Sequence, residues 1–421
     1  MPGSIRPIFS ILLSTLIFLI GNGLLGTLIP VRADLAGFSH YIIGVIGSAY
    51  FAGFVAGCFL GPRMIARAGH SRTFAVAAGI AAATALMQSM SLNETVWIVT
   101  RAAFGVGAAC LYMVIESWLN DSATNVTRGR IFSAYITVNL SGLVIGQALF
   151  MSNGASSFTL FNIAAIFYAL CLIPVGLTRQ PQPRAVEVPR LRPMRLFKVS
   201  PVGMAGCVAV GCANAAVWTF APIYGESMGL HRGWLSLFMI AFTLGGAVVQ
   251  VPLGRLSDHL DRRYIIAGIG VFAASAAVLL YLFGHHDAHN HWRVLGLIAL
   301  FGMTCLPLYG MSVAQVNDRL PRSDFVEASA SLLLVNSVAS ILGPPIAASV
   351  IQQFGISALF LYTASIHAVL AIYTISRIAT QAPAPKALHD AFVPVPEQAS
   401  PLVVELDPRS GEEPEKPQAA A

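Results

Sequence analysis

The chain has 421 residues, 56% of them apolar and only 10% charged, where an ordinary soluble domain carries about 25% charged residues. A water-soluble fold of this length needs a charged surface that this composition does not supply, so the solvent is largely lipid. The net charge of +6 then reports membrane topology and implies no nucleic-acid partner.

A helix needs about 20 residues to cross the hydrocarbon core. Stretches that satisfy this run over 8–30, 41–61, 73–91, 95–116, 131–151, 158–178, 201–222, 234–253, 264–284, 293–315, 328–351 and 356–378. The first follows Arg6 and superficially resembles a signal sequence, but its apolar run is longer than a signal peptide's, and it is read as a mature helix. Six cysteines, Cys58, Cys110, Cys171, Cys207, Cys212 and Cys305, fall in these runs with no metal-ligand spacing and read as small packing residues. Residues 179–200 are rich in Pro and Arg and lack an apolar period, which makes them a linker between two six-helix bundles, 1–178 and 201–378. Beyond 379 the chain turns to Pro, Ala and Glu, the composition expected of a disordered tail. With both termini placed inside, 21 of the 25 basic residues fall on the inner side, only Arg32, Arg232 and Arg293 fall outside, and Arg101 lies within a span. The positive-inside rule thus predicts cytoplasmic termini and a cytoplasmic linker.

The two halves repeat each other. Asn22, Thr27 and Pro30 recur as Asn214, Thr219 and Pro222 at an offset of 192 residues. At an offset of 197, Asn120-Asp121, Asn139 and Gly146 recur as Asn317-Asp318, Asn336 and Gly343. Polar residues are scarce in such segments, so matched spacings point to two parallel structural repeats.

Further motifs carry a family resemblance over nearly the whole chain. Gly254-Arg-Leu-Ser-Asp258-His-Leu-Asp-Arg262-Arg263 resembles the loop motif G-x-x-x-D-R-x-G-R-R of the major facilitator superfamily. The first-half counterpart, Gly61 to Arg72, keeps Arg67 and Arg72 but has Ala66 where the motif has its acid. That departure, with Asn22-Gly-Leu-Leu-Gly-Thr27, Glu116-Ser-Trp118-Leu-Asn120-Asp121 and Arg128-Gly-Arg130, is similar to the YcaD-like branch. The resemblance implies an all-α membrane protein with twelve transmembrane helices in two parallel six-helix repeats. It does not imply a substrate.

Several polar residues are candidates for the working parts. Arg101, about five residues into the fourth span and followed by Gly105 and Gly107, either faces an internal cavity or snorkels to the headgroups. Asn22 and Asn214 lie near mid-membrane in the first helix of each half, where amides can bind a polar solute or join helices; Asn139 and Asn336 form a second such pair. Asp258, Arg262 and Arg263 read as a gate whose ion pairs form in one conformation only, or as simple topology signals. Glu116 is expected near the basic loop holding Arg67 and Arg72, in a cytoplasmic charge relay. No carboxylate lies at the centre of a span.

Gln147 stands where the antiporter motif G-x-x-x-G-P has its proline, which weakens an assignment to export, whereas Gly343-Pro344-Pro345 predicts a kink or helix break. The tract His285-His286-Asp-Ala-His289-Asn-His291 reads as a solvated loop in preference to a metal site. No phosphate-binding loop and no catalytic set such as H-E-x-x-H or G-x-S-x-G is present. The sequence therefore predicts a monomeric secondary transporter in a bacterial inner membrane, with no cofactor or metal. Its partners are a small, partly polar solute, membrane lipid and a coupling ion such as the proton. Uptake, facilitated diffusion, or a sensor derived from a transporter remain as alternatives to ion-coupled export.

Overall fold

A computed structural model describes residues 5–152, 155, 157–178, 183, 191–231, 233–284, 290–383 and 391–406, with the side chains of 5–7 excepted. The His285–His289 part of the histidine tract and residues 179–182 and 184–190 of the 179–200 linker lie outside the described residues.

Among the described residues, twelve helical segments are long and apolar enough to span a membrane. In the first half these are α1 (Ile5–Leu35), α2 (His40–Ala68), α3 (His70–Met90), α4 (Glu94–Asp121), α5 (Arg128–Leu149) and a sixth span split into α6 (Thr159–Leu170) and α7 (Leu172–Gly176). A short amphipathic piece, α8 (Pro193–Val199), leads into the second half: α9 (Pro201–Ser227), α10 (Gly233–His259), α11 (Arg262–Phe283), α12 (His291–Cys305) with α13 (Leu308–Asn317), α14 (Phe325–Phe354) and α15 (Ala358–Thr380). All twelve predicted stretches fall on these helices. Two spans contain breaks that apolar periodicity does not show. Pro307 has no N–H to donate and sits between α12 and α13, while Pro174 follows the junction of α6 and α7. Conversely, α14 runs through Pro344 and Pro345 without interruption, so the local break expected there is absent.

The packing obeys the repeat. Within the first half α2 packs on α4, α1 on α5 and α3 on α6; within the second α10 packs on α12, α9 on α14 and α11 on α15. The halves meet through α2 against α14 and α5 against α10, which are equivalent pairs under the same symmetry. A single glycine contact explains one of the repeated sequence positions. A Cβ at Gly146 would collide with the Ile20 carbonyl of α1, and a Cβ at Gly343 would collide with the Cys212 carbonyl of α9. Ile20 and Cys212 are themselves 192 residues apart, so both glycines are required where α5 and α14 cross the first helix of their halves.

The arginine-rich loops gather at one end of the bundle, called here the basic end. At the opposite end the halves are closed on each other. Ser48 Oγ of α2 donates to the Ile341 carbonyl of α14 at 2.6 Å, Gln147 Nε2 of α5 donates to Thr243 Oγ1 of α10 at 3.1 Å, and Gly44 lies against the Pro344 backbone.

The tail departs from expectation. Residues 391–406 are not disordered but pass between the halves at the basic end and finish in a 3-10 helix, Pro401–Leu406, against α4, α5 and α14. The polar composition of the region hides a local apolar cluster: Val395, Leu402, Val403, Val404 and Leu406 are all buried. That burial offsets the ordering cost that the average composition suggested could not be met.

Candidate functional site

A cavity of about 250 Å³ lies between the halves, below the closed opposite end. Its walls come from α1, α2, α4, α5, α9 and α10, and its floor from Val395 to Gln398 of the tail. Apolar side chains dominate the lining, with a few polar groups converging on it, the usual character of a small-molecule site.

Arg101 is one of those groups. Its guanidinium carbon stands 5.0 Å from the Tyr50 ring centroid and 5.3 Å from that of Phe104, so two aromatic faces hold it within the bundle. Among the described residues it makes no ion pair, and its Nε has no hydrogen-bond partner. Of the four asparagines, Asn22 and Asn139 line the cavity, and Asn139 Nδ2 also donates to the Tyr135 carbonyl at 2.8 Å. Asn214 is fully buried, and its Nδ2 donates to Glu397 Oε2 at 3.0 Å. Asn336 does not line the cavity; it is buried in the α14–α9 contact, where its carbonyl abuts Gly211. Repeat symmetry therefore relates positions in the fold without giving them the same surroundings.

Sequence reasoning missed Glu397. This carboxylate enters the cavity from the tail, beside a bundle whose spans hold none at their centres. Burial pushes its pKa up to about 7, and the hydrogen bond from Asn214 pulls the other way. The signal that could have found it is the alternation of Val393-Pro394-Val395-Pro396 with the apolar run Leu402-Val403-Val404 shortly after it, unusual in a solvated tail.

Glu116 is buried, but not in the predicted relay with Arg67 and Arg72. It accepts from Tyr135 Oη at 2.8 Å and from the Ser400 backbone N–H at 3.0 Å, and Ser400 Oγ donates to the same carboxylate. Arg67 and Arg72 are exposed and make no ion pair among the described residues. In place of a loop arginine, the Glu116 carboxylate meets α5 through Tyr135 and the tail through Ser400.

The second-half motif is strongly connected. Arg262, fully buried, donates through Nε to Asp318 Oδ2 at 2.7 Å and through Nη1 to Ser257 Oγ at 2.7 Å, with Asp258 3.7 Å away. Arg263 pairs with Asp261 at 2.6 Å and donates to the Gln381 carbonyl at 2.8 Å, tying α11 to the end of α15. Partial burial pushes the Asp261 carboxyl up, but the N–H groups of Arg263 outweigh it and hold the carboxyl below the ordinary range. Asp258 Oδ1 accepts the Phe392 N–H of the tail at 2.6 Å. Near the linker, Arg195 of α8 pairs with Asp324 at 2.6 Å and Glu327 at 3.1 Å.

The family model for the Major Facilitator Superfamily matches residues 11–242 and 232–407. An uncharacterized MFS-type transporter, YcaD, of Escherichia fergusonii is 25% identical over 366 residues, covering 86% of this chain and 93% of that protein. YcaD of Escherichia coli O7:K1 is 25% identical over 363 residues, with 86% and 93% covered. Among solved structures, the nucleoside transporter NupG superposes with a TM-score of 0.73 at 15% identity, covering 89% of this chain and 100% of that one. A D-xylose-proton symporter gives 0.67 at 15% identity, covering 88% and 96%.

Proposed function

The chain belongs to the major facilitator superfamily and is a multi-pass membrane transporter, and from that premise we propose that it moves a small, partly polar solute by alternating access around the cavity between its halves. The observation that carries this reading is the arrangement of that cavity: central, closed at the opposite end by contacts between the halves, and lined by Arg101, Asn22 and Asn139. Arg101 supplies a cation with no ion-pair partner among the described residues, held against the Tyr50 and Phe104 rings. A guanidinium so placed favours a solute with a carboxylate or phosphate, which its planar fork binds by two hydrogen bonds. Asn22 and Asn139 add donors and acceptors at modest desolvation cost.

The basic end is the cytoplasmic end in this reading, because the arginine-rich loops gather there, and the membrane is the bacterial inner membrane. The conformation is then inward-facing. Arg262, Asp318 and Asp258 brace the cytoplasmic ends of α10, α11 and α13 as one unit that rocks against the first half. Coupling is to an ion gradient or to the solute's own gradient.

The test is solute flux. An untargeted metabolite comparison of cells with and without the protein identifies compounds whose distribution changes, and each is then followed in proteoliposomes. Protein-dependent, saturable movement of one anionic compound supports the reading. If the compounds that respond are chemically altered or bound without crossing the membrane, the transport assignment is wrong.

A further inference from the structure

We propose that residues 391–406 are a built-in inhibitor, seated in the open mouth of the transporter so that the solute cannot enter and the halves cannot close at the basic end. The proposal rests on the transporter reading above and adds a regulatory segment to it. The tail bonds to both halves at once. On the second half, Asp258 takes the Phe392 N–H, and Asn214 donates to Glu397. On the first half, Glu116 takes the Ser400 N–H and hydroxyl, and Asn120 Nδ2 donates to the Leu402 carbonyl at 3.0 Å.

The seat is shaped for this occupant. The Phe392 ring fills a notch over Gly254 and Gly310, where a Cβ on Gly254 would collide with the ring and one on Gly310 would stand 3.2 Å from it. Gly254 and Asp258 thus hold one tail residue together, the first by its ring and the second by its amide. Glu116 is buried within α4, where an unsatisfied carboxylate is costly, and the tail provides two of its three donor groups. Deeper in, Glu397 projects a carboxylate into the cavity that Arg101 lines.

The consequence is mechanical. Reaching the other conformation requires the contacts Ser48 to Ile341 and Gln147 to Thr243 to part while the basic ends approach. The tail fills the space into which those ends would move. Tail and solute also share one cavity, so each must leave for the other to bind, and a tail held elsewhere would switch the transporter on.

Hydrogen–deuterium exchange on the full-length protein in detergent tests this without knowing the solute. Amides of 392–402 should exchange at least about 10-fold slower than in a synthetic peptide of the same sequence. The double tail substitution Glu397→Ala/Ser400→Ala alters no residue of a membrane helix, and thermal melting checks that the bundle is intact. It should abolish that protection and raise exchange in α2 and α14 near the opposite-end contacts, because the halves now alternate. Free-peptide exchange of 392–402 in the wild type would overturn the proposal, as would a released tail that leaves the opposite end unchanged. A second, reversible arm uses Pro401→Cys, since Pro401 and native Cys58 line one recess. Bridging the two with a short bifunctional methanethiosulfonate should keep opposite-end exchange at the wild-type level even when Glu397→Ala/Ser400→Ala is present, and reductant should release it. A bridged protein that exchanges like the unbridged one would also refute the device. If these exchange effects appear but no compound crosses the membrane, the inhibitor seat stands and the transport reading fails.

Discussion

Asp318→Asn is the most direct test of the brace under the second-half loop. Arg262 and Asp318 are 0% and 2% exposed at their side chains and lie 2.7 Å apart. With an effective dielectric of about 20, two unit charges at that distance attract by about 6 kcal/mol, part of which offsets the desolvation of both. Removing one partner strands the other, so Asp318→Asn and Arg262→Met should each destabilise the protein by about 3–5 kcal/mol. The double replacement Arg262→Met/Asp318→Leu removes both charges and should recover at least half of that loss, because a buried pair and a buried apolar contact are close in free energy. Ser257 Oγ loses the Arg262 donor wherever Arg262 is replaced by Met, the double replacement included, which keeps the recovery incomplete. Thermal and denaturant unfolding of the wild type, Arg262→Met, Asp318→Leu and Arg262→Met/Asp318→Leu, read as a double-mutant cycle, measures the coupling, with Asp318→Asn alongside as the near-isosteric single. Additive losses in the double replacement, or single losses below about 1 kcal/mol, would show that the pair is screened and braces nothing.

The fold was legible because lipid enforces it. Twelve apolar runs and a one-sided distribution of arginines follow from hydrogen-bond satisfaction and charge cost in a bilayer, and both are visible residue by residue. The repeated glycines were legible for the same reason: Gly146 and Gly343 each sit over the backbone of an equivalent helix, so their spacing is a contact written twice. Side-chain surroundings were less legible. Asn139 and Asn336 share a repeat position, yet one lines the cavity and the other is buried between α14 and α9, because repeats fix the backbone and leave lining residues to diverge. Glu116 was placed by its depth in α4, but depth does not give the rotation of a helix, and rotation turned it toward Tyr135. The tail was judged on its mean composition, which conceals that Phe392, Glu397, Ser400 and Leu402 each meet a complementary group in the bundle. Such a segment is ordered by the site it enters and not by its own periodicity, so its apolar alternation marks it as unusual for a solvated tail without announcing the seat.

Three further outcomes follow from particular contacts. Gly146→Val and Gly343→Val should each sharply lower the melting temperature, since the added atoms meet a helix backbone, whereas Gly79→Ala, with open space around its Cβ position, should change it little. Arg101→Lys should recover little of the transport lost in Arg101→Ala, with solute binding weakened by about 1–3 kcal/mol; full activity in the lysine variant would mean that charge alone suffices. The last concerns pH. Glu397 has its pKa raised to about 7 in the seated tail, from the ordinary 4.5 of a free glutamate, and burial is the main cause. The groups around it are Asn214 on α9, Arg101 across the cavity, and the neutral Cys207, Cys305 and Tyr309 behind it. A carboxyl whose pKa rises on seating is bound better when protonated. Seating is therefore strongest below about 4.5, weakens as pH climbs through about 7, and is level above that. At about 1.4 kcal/mol per unit, the rise from 4.5 to about 7 spans about 3.5 kcal/mol, nearly all of it below about pH 7. Exchange of the 392–402 amides, corrected for intrinsic rates, should show more protection at pH 6 than at pH 8 in the wild type. In Glu397→Gln, which keeps an acceptor for Asn214 and cannot ionise, the difference should vanish. An identical pH dependence in that variant would assign the titration to another group and detach Glu397 from the control of the seat.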